Sequence, residues 1–138
     1  GSEGRRYAWG HQRPDEDGRN RGNYGRNACC AADDRDGYLY TSPVGAFPLG
    51  QTPAGVRDLT GNVWEWVEDD FDAAFYTRAP AHNPVYRSVP EPGVTAPRKV
   101  IRGGGWGNNP WGLRTTLRHH NDATHGLSMV GFRCAATG

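Results

Sequence analysis

Over most of the chain, hydrophobic positions recur with neither the period of 2 typical of strands nor the period of 3.6 typical of helices. Three short segments differ because they are rich in β-branched and aromatic residues, which favour strands. These segments are residues 62–67, 99–102 and 130–135. Elsewhere glycines and prolines interrupt the pattern at short intervals, and the residue before each proline is held extended. The pattern predicts a few short strands joined by long irregular segments.

Composition supports a folded domain in spite of the weak periodicity. Twenty glycines and ten prolines among 138 residues are about twice the average share, which excludes a helix bundle. Five tryptophans and six tyrosines supply large apolar surfaces, and a net charge of +1 is too small for a disordered chain. The length predicts one domain over residues 1–138. Without a run of about 20 apolar residues, no membrane span is expected.

Three cysteines are present, two of them adjacent: Cys29, Cys30 and Cys134. Because adjacent cysteines bridge to each other only with strain, we expect free thiols, which are typical of a reducing compartment such as the cytoplasm. A bridge from Cys134 to one of the pair is the alternative. Localisation otherwise stays open.

Charge is unevenly distributed. Residues 98–133 carry six basic residues and one acid, whereas Glu68, Asp69, Asp70 and Asp72 form an acidic cluster that we expect to be a solvated loop. The basic region lacks both a Lys/Arg run and interleaved stacking residues, so nucleic-acid binding is not expected. Lys99 is the only lysine, and arginines of this kind are typical of internal hydrogen bonding.

Several motifs in a fixed order resemble the formylglycine-generating-enzyme type of sulfatase-modifying domain. They are Tyr7-Ala-Trp-Gly10, Asp58-Leu-Thr-Gly-Asn-Val-Trp-Glu-Trp66, Arg102-Gly-Gly-Gly-Trp106, Leu113-Arg114, Arg118 and Gly131-Phe-Arg133. The resemblance covers nearly the whole chain, but not the family's N-terminal part. It implies a C-type lectin fold, that is, an α+β, loop-rich domain with short antiparallel strands and little regular secondary structure.

The enzymes of this family carry two reactive cysteines after the Arg-Gly-Gly element. In this chain, Asn108 and Leu113 occupy those positions. Neither side chain can replace a thiolate as a copper ligand or nucleophile. The resemblance therefore implies a protein without catalytic activity. An enzyme or enzyme-complex component of the sulfatase-modifying family is the alternative, and a zinc site at His119, His120 and His125 is a minor one.

Another branch of the family consists of variable proteins that are diversified by retroelements. Their mutagenic reverse transcription alters adenines in asparagine-rich templates and leaves a framework between the changed positions. The composition of about residues 103–130 resembles such a region, and we interpret residues 102–133 as a variable ligand-binding region. An ordinary Asn/His/Gly-rich loop in a degenerate enzyme relative is the other interpretation.

This interpretation predicts which side chains face a ligand. The predicted contact residues are Gly107, Asn108, Trp111, Thr115, Leu117, His119, Asn121, His125, Leu127 and Met129. Those predicted to be mostly buried are Trp106, Leu113, Arg114, Arg118 and Phe132. We expect Arg102, Arg114, Arg118 and Arg133 to bond main-chain carbonyls and so hold the loops. Aromatic anchors favour a protein ligand, with a glycan or small molecule as alternatives.

The resemblance also implies structural calcium at two sites. The first would use the side chains of Asn23 and Asp36 with the carbonyls of Tyr24 and Tyr38. The second would use the side chains of Asp58 and Glu65 with the carbonyls of Gly61 and Val63. Oxygen ligands from irregular loops suit Ca²⁺, which accepts six to eight of them in flexible geometry. The alternative is that these acids pair with arginines such as Arg35 or Arg57.

Overall fold

The computed structural model describes residues 3–26, 30–31, 33–89, 92–93 and 96–135. Its regular structure is one four-stranded sheet and two short 3-10 helices at Pro48–Gly50 and Phe75–Thr77. The strands are β1 (Trp64–Asp70), β2 (Arg98–Arg102), β3 (His119–Asp122) and β4 (Val130–Gly131). They are arranged in the order β3-β2-β1-β4, and irregular segments make up most of the rest. The predicted loop-rich fold class is confirmed.

The strands β1 and β2 lie close to their predicted positions, but β1 continues into the acidic cluster. The Asp69 carboxylate accepts a hydrogen bond from the N–H of Tyr86, and Asp70 is buried 2.5 Å from the ammonium group of Lys99. The prediction of a loop is therefore wrong for residues 68–70, although the side chain of Glu68 is exposed and pairs with Arg87. These acids extend the strand because each has a partner on a neighbouring segment.

The sequence pattern did not predict β3. It predicted a last strand over residues 130–135, which is longer than the observed β4. The sequence of β3, His-His-Asn-Asp, lacks any alternation of apolar residues, yet it pairs with β2 in antiparallel register from His119↔Ile101 to Asp122↔Arg98. In contrast, β4 ends at Gly131 and pairs with β1 in parallel. This parallel pair is the exception to the expected antiparallel strands.

Burial agrees with most of the expected framework. Trp106 is buried, Leu113 is 0% exposed, and Arg114 and Arg118 are half-buried. The expectation is wrong for Phe132, which is 76% exposed. The reason is that β4 ends one residue earlier, so Phe132 does not lie between the sheet and a covering segment.

The framework arginines bond main-chain carbonyls, as predicted. The guanidinium of Arg102 donates to the carbonyl oxygen of Thr115 (2.9 Å) and that of Arg114 to the carbonyl of Trp111 (3.1 Å). Arg118 and Arg133 bond the carbonyls of Asp72 (2.9 Å) and Asp58 (3.0 Å) in the same way. These bonds fix the path of loops that have no strand neighbour, because each satisfies a carbonyl outside the sheet.

Close approach of neighbouring segments requires glycine at several positions, of which Gly50 and Gly104 are examples. A Cβ at Gly50 would lie 1.9 Å from the carbonyl oxygen of Arg21. Gly104 has a φ of +75°, and a Cβ there would lie 2.6 Å from Cδ2 of Leu113. Both positions therefore exclude larger residues, and the second keeps the glycine-rich turn packed on the core.

The cysteines differ from expectation. Cys134 is free and exposed, so it does not bridge to the adjacent pair. Cys30 is disulfide-bonded, so the expectation of a free thiol is wrong at this position. Cys29 lies outside the described residues. In the described part of the chain, none of the helices has the length and apolar character needed to cross a membrane.

Candidate functional site

A cavity of about 380 Å³ lies against one face of the sheet, and we call it the Trp64 pocket. Trp64 and Trp66 lie two residues apart on β1 and therefore on the same face, and Trp66 pairs with Ile101, which pairs with His119. The residues that line the pocket are Cys30, Trp64, Ile101, Asn108, Trp111, Gly112, Leu117, His119, His120, Asn121, Leu127, Met129 and Val130. Every strand of the sheet contributes to it.

The floor of the pocket is buried and held by hydrogen bonds. The side-chain oxygen of Asn108 accepts hydrogen bonds from Nε1 of Trp64 (2.8 Å) and from the N–H of Gly105 (3.1 Å). Asn108 is 5% exposed, so the prediction of an exposed contact residue is wrong. Its amide orients the indole of Trp64 and closes the turn that begins at Gly105.

Gly107 is also buried, contrary to prediction. A Cβ there would lie 2.9 Å from Cα of Cys30 and 3.0 Å from Cε of Met129. The main-chain carbonyl of Gly107 accepts a hydrogen bond from the N–H of Cys30 at 2.7 Å. Gly107 therefore allows two segments to meet behind the pocket and has no side chain to offer a ligand.

The mouth of the pocket is apolar and open. Trp111 is 61% exposed and Leu127 is 47% exposed, while Leu117 and Met129 are half-buried. The guanidinium of Arg114 lies 4.2 Å from the ring centroid of Trp111, within the range of a cation–π contact. This contact holds the indole in place and brings a positive charge to the mouth.

Two histidines of β3 form the polar side of the mouth. The ring of His119 meets Trp64 edge-on, with centroids 5.6 Å apart, and the ring of His120 lies 4.1 Å from that of Phe71. Burial lowers the pKa of His120, and the positive charges of Arg98 and His119 lower it further. Among the described residues, no three histidine, cysteine or acidic side chains are grouped to hold a metal ion. The minor alternative of a zinc site therefore lacks support.

Besides Gly107, two predicted contact residues lie outside the pocket. The hydroxyl of Thr115 donates to the carbonyl of Arg5 at 2.5 Å, and Thr115 borders a separate cavity of about 250 Å³. His125 is exposed, and its Nδ1 lies 3.9 Å from the carboxylate of Asp122. The structure thus brings seven of the ten predicted residues together and leaves Gly107, Thr115 and His125 apart.

The prediction missed several residues that line the pocket. They are Cys30, Trp64, Ile101, Gly112, His120 and Val130. The alternation Trp64-Glu65-Trp66 was the available signal, because it places both indoles on one face of a strand. For Cys30 and Gly112 the sequence carries no comparable signal, since tertiary contacts alone bring them to the pocket.

The first predicted calcium group has features that suit a cation. Asn23 is buried and donates through Nδ2 to the carbonyl of Tyr40 at 2.6 Å, while its Oδ1 finds no donor among the described residues. The Asp36 carboxylate accepts the N–H groups of Tyr24 (2.9 Å) and Tyr38 (3.0 Å), and burial raises the pKa of Asp36. A buried acceptor without a donor is unfavourable unless a cation or water satisfies it. The orphaned Oδ1 of Asn23 is therefore the one feature of this group that a cation such as calcium would satisfy.

The second predicted calcium group is already satisfied by protein groups. The guanidinium of Arg133 binds the carboxylate of Glu65, with Nε 2.7 Å from Oε2, and also donates to the carbonyl of Asp58. The Asp58 carboxylate accepts the N–H of Gly45 at 2.7 Å. Because an arginine neutralises the carboxylate that calcium would need, these residues do not fit the ion. Their partner is Arg133 and not Arg35 or Arg57, which were the expected arginines.

The motifs and the fold agree with comparisons to known proteins. The family described as the Sulfatase-modifying factor enzyme 1-like domain matches residues 1–137. The chain therefore belongs to this family, as the motifs predicted.

Relatives in this family carry different names. A formylglycine-generating enzyme from Streptomyces coelicolor is 34% identical over 98% of this chain and 41% of its own length. An inactive C-alpha-formylglycine-generating enzyme 2 from Bos taurus is 32% identical over 73% of this chain and 28% of its own length. The chain thus spans less than half the length of these relatives. The family includes proteins named as enzymes and proteins named as inactive.

A solved structure shares the fold at lower sequence identity. Treponema denticola variable protein 1 aligns with a TM-score of 0.53 and 22% identity, over 81% of this chain and 34% of its own. At this identity the likeness concerns the fold alone. Members of a sulfatase-modifying family and a variable protein are thus built on the same loop-rich architecture.

Proposed function

We propose that the protein is a non-catalytic ligand-binding display domain whose region of about residues 103–130 is diversified to bind varied protein ligands at the Trp64 pocket. One observation carries the proposal: seven predicted contact positions line a single pocket. They are Asn108, Trp111, Leu117, His119, Asn121, Leu127 and Met129. Asn108 belongs to the floor, and the other six surround the opening.

The way the loops are held supports diversification. Arg102 bonds the carbonyl of Thr115, and Arg114 bonds the carbonyl of Trp111. A carbonyl is present whatever the side chain of its residue. Substitutions at the mouth therefore leave these anchors intact, so that stability and ligand choice can vary independently.

A protein ligand suits the chemistry of the mouth. Trp111, Leu117 and Leu127 form an apolar centre, and His119 and Asn121 add polar groups beside it. Apolar cores with polar rims and aromatic anchors are typical of protein–protein interfaces. A glycan or small molecule is the alternative within the same site, and binding of nucleic acid is not proposed.

The positions that carry cysteines in the enzymes support the absence of catalysis. Asn108 is fully engaged in holding Trp64 and Gly105, and Leu113 is completely buried. Neither can supply a thiolate.

The family alternative, an enzyme or enzyme-complex component, is favoured by the 34% identity to a formylglycine-generating enzyme. We expect no formylglycine when the protein is incubated with copper(I), oxygen and a peptide carrying a sulfatase-type cysteine. Formation of formylglycine by the unsubstituted protein would establish the alternative.

Display function is tested by a library. Trp111, Leu117, His119, Asn121 and Leu127 are randomised together, and binders are selected against two unrelated purified proteins. In a matched control library, five exposed positions away from the pocket are randomised: Val44, Leu49, Val56, Val85 and Val89. We expect specific, folded binders from the first library only. Equal success of both libraries, or unfolding of most members of the first, would refute the proposal.

We also propose that one structural calcium ion binds the first group, through the side chains of Asn23 and Asp36 and the carbonyls of Tyr24 and Tyr38. A ligand that binds only the native state at 100 times its Kd adds about 2.7 kcal/mol to stability. Chelation with EDTA should therefore lower the melting temperature clearly. Asp36→Asn should abolish the response, whereas Glu65→Gln should retain it, because Glu65 pairs with Arg133. An unchanged melting temperature on chelation would exclude the ion.

A further inference from the structure

The strand β3 has one edge without a strand neighbour, since within the described residues it pairs with β2 alone. The direction of its main chain follows from β2. The carbonyl of Arg98 accepts the N–H of Phe71 at 2.7 Å, so the main chain of Arg98 faces the β1 side of the sheet. Because main-chain groups alternate in direction along a strand, those of Lys99 and Ile101 face β3.

It follows that the main-chain groups of His120 and Asp122 point away from the sheet. Their N–H groups are bonded to the side chain of the preceding residue: His120 N–H to Nδ1 of His119 (2.6 Å), and Asp122 N–H to Oδ1 of Asn121 (2.9 Å). Each side chain covers a donor that a neighbouring strand would otherwise use. The carbonyl of Asp122 accepts the N–H of His125. Nδ1 of His119 also lies 3.0 Å from the carbonyl oxygen of His120, so one imidazole covers both main-chain groups of that residue. Once these side chains are displaced, the edge offers two N–H groups and the carbonyl of His120.

The same three residues, His119, His120 and Asn121, line the Trp64 pocket. The edge and the pocket are therefore continuous. When an extended peptide joins a sheet edge, main-chain hydrogen bonds provide affinity and pockets for alternate side chains provide specificity. The volume of about 380 Å³ lies within the range of sites that enclose a ligand group.

The charge around the edge is positive. Arg98 is exposed and faces Asp122 across the strand pair, and Arg114 lies on the ring of Trp111. The carboxylate of Asp122 is already bonded to the N–H and hydroxyl of Thr124. A ligand that follows β3 thus meets two guanidinium groups and one carboxylate, and this net positive balance favours acidic residues beside the apolar one.

We propose that the free edge of β3 docks an extended peptide segment of the protein ligand, with a large apolar side chain in the Trp64 pocket and acidic residues flanking it. The inference rests on the proposed function, since it takes the Trp64 pocket as the binding site. It adds the conformation and the chemistry of the ligand. The side chains of His119 and Asn121 hydrogen-bond the N–H groups of the edge, and a docking peptide must displace them. The residue types at these two positions therefore determine how accessible the edge N–H groups are.

The test uses the full chain and a phage library of random linear 12-residue peptides. We expect enriched peptides with one large apolar residue beside Asp or Glu, which lose binding to Leu127→Arg. Each residue of one enriched peptide is then N-methylated in turn. Methylation of the residue opposite His120 should weaken binding tenfold or more, because it removes the donor to the His120 carbonyl. Methylation of the residues on either side should change binding less than threefold.

A second arm tests the covers. Asn121→Ala should tighten binding of the same peptide severalfold, because the peptide no longer competes for the Asp122 N–H. His82→Ala, at an exposed histidine remote in sequence from the pocket segments, is the control and should leave binding unchanged. The melting temperature of each variant shows that it is folded.

Two results would overturn the inference. A flat N-methylation scan combined with loss of binding to Leu127→Arg would show a ligand in the pocket that does not pair with β3, which leaves the proposed function intact. Failure to enrich peptides that depend on the pocket would remove the inference altogether. The proposed function would then be judged separately by the five-position library, so the two failures are distinguishable.

Discussion

Two parts of the region of about residues 103–130 have opposite environments. From Gly104 to Asn108, and again at Gly112 and Leu113, the chain is buried. From residue 123 to residue 128 every position is exposed. Asparagine illustrates the difference, because Asn108 holds the indole of Trp64 whereas Asn121 covers the edge of β3. Composition alone therefore does not separate framework from display positions.

The contrast between two leucines should be the largest effect. Leu113→Ala removes a fully buried side chain and should cost roughly 2–5 kcal/mol of unfolding free energy, through lost burial and a residual cavity. Leu127→Ala, at the open mouth, should cost less than about 1 kcal/mol because half of its surface is already in water. Urea unfolding of both variants measures the difference. Similar costs for the two would contradict the division of the region.

The two asparagines give the next effect. Asn108→Ala leaves the Nε1 of Trp64 and the N–H of Gly105 without their acceptor, at a cost of about 1–3 kcal/mol for each donor that stays buried. Asn121→Ala exposes the N–H of Asp122 to water at the sheet edge, so its cost should stay within about 0.5 kcal/mol. Thermal unfolding monitored by tryptophan fluorescence would report both. Equal destabilisation would mean that Asn108 is not a framework residue.

Substitution of Phe132 tests a correction made by the structure. Because the ring is mostly exposed, Phe132→Ala should change stability by no more than about 0.5 kcal/mol. His119→Ser should be comparably mild, since the histidine is exposed at the mouth. Chemical denaturation curves of both variants provide the measurement. A loss of several kcal/mol at Phe132 would show that the ring is buried in the native protein.

Acid pH should give the smallest effect. The pKa of His120 is lowered in the folded state by burial, by Arg98 and by His119, so the unfolded chain binds the proton more readily. The unfolding free energy is therefore unaffected by His120 above the ordinary histidine pKa of about 6.5. It decreases as pH falls below that value, because protonation then favours the unfolded chain. Melting temperatures between pH 7.5 and 5.5 should decrease less in His120→Asn than in the parent protein. An identical decrease would exclude His120 as the titrating group.

Sequence patterns located the parts of this fold that depend on local chemistry. Residues 62–67 and 99–102 carry the β-branched and aromatic residues of central strands, and they correspond to β1 and β2. The motifs identified the family, and the arginine bonds to carbonyls followed from the lack of regular ladders. A polar strand such as β3 could not be predicted in this way, because its pairing with β2 stabilises it and its own side chains do not.

The limits of prediction at the site have the same origin. The six residues that surround the opening were predicted because their segment resembles the variable region of retroelement-diversified proteins. The burial of Asn108 and Gly107 depends on the approach of Trp64 and Cys30, which are distant in sequence. The exposure of Phe132 depends on where β4 ends. Such contacts arise only when the chain is folded, so neither periodicity nor residue type reveals them.

The arginine anchors carry a practical consequence for engineering. Arg102 and Arg114 hold the backbone through the carbonyl oxygens of Thr115, Leu117 and Trp111. Nineteen of the twenty amino acids would present this carbonyl in the same way. Proline would present it only with a fixed φ. The N–H groups of Thr115 and Leu117 are also hydrogen-bonded, to the carbonyls of Arg6 and Arg114. Proline would forfeit those bonds. A synthetic repertoire at these sites should therefore use codon mixtures that omit proline and can otherwise be unrestricted.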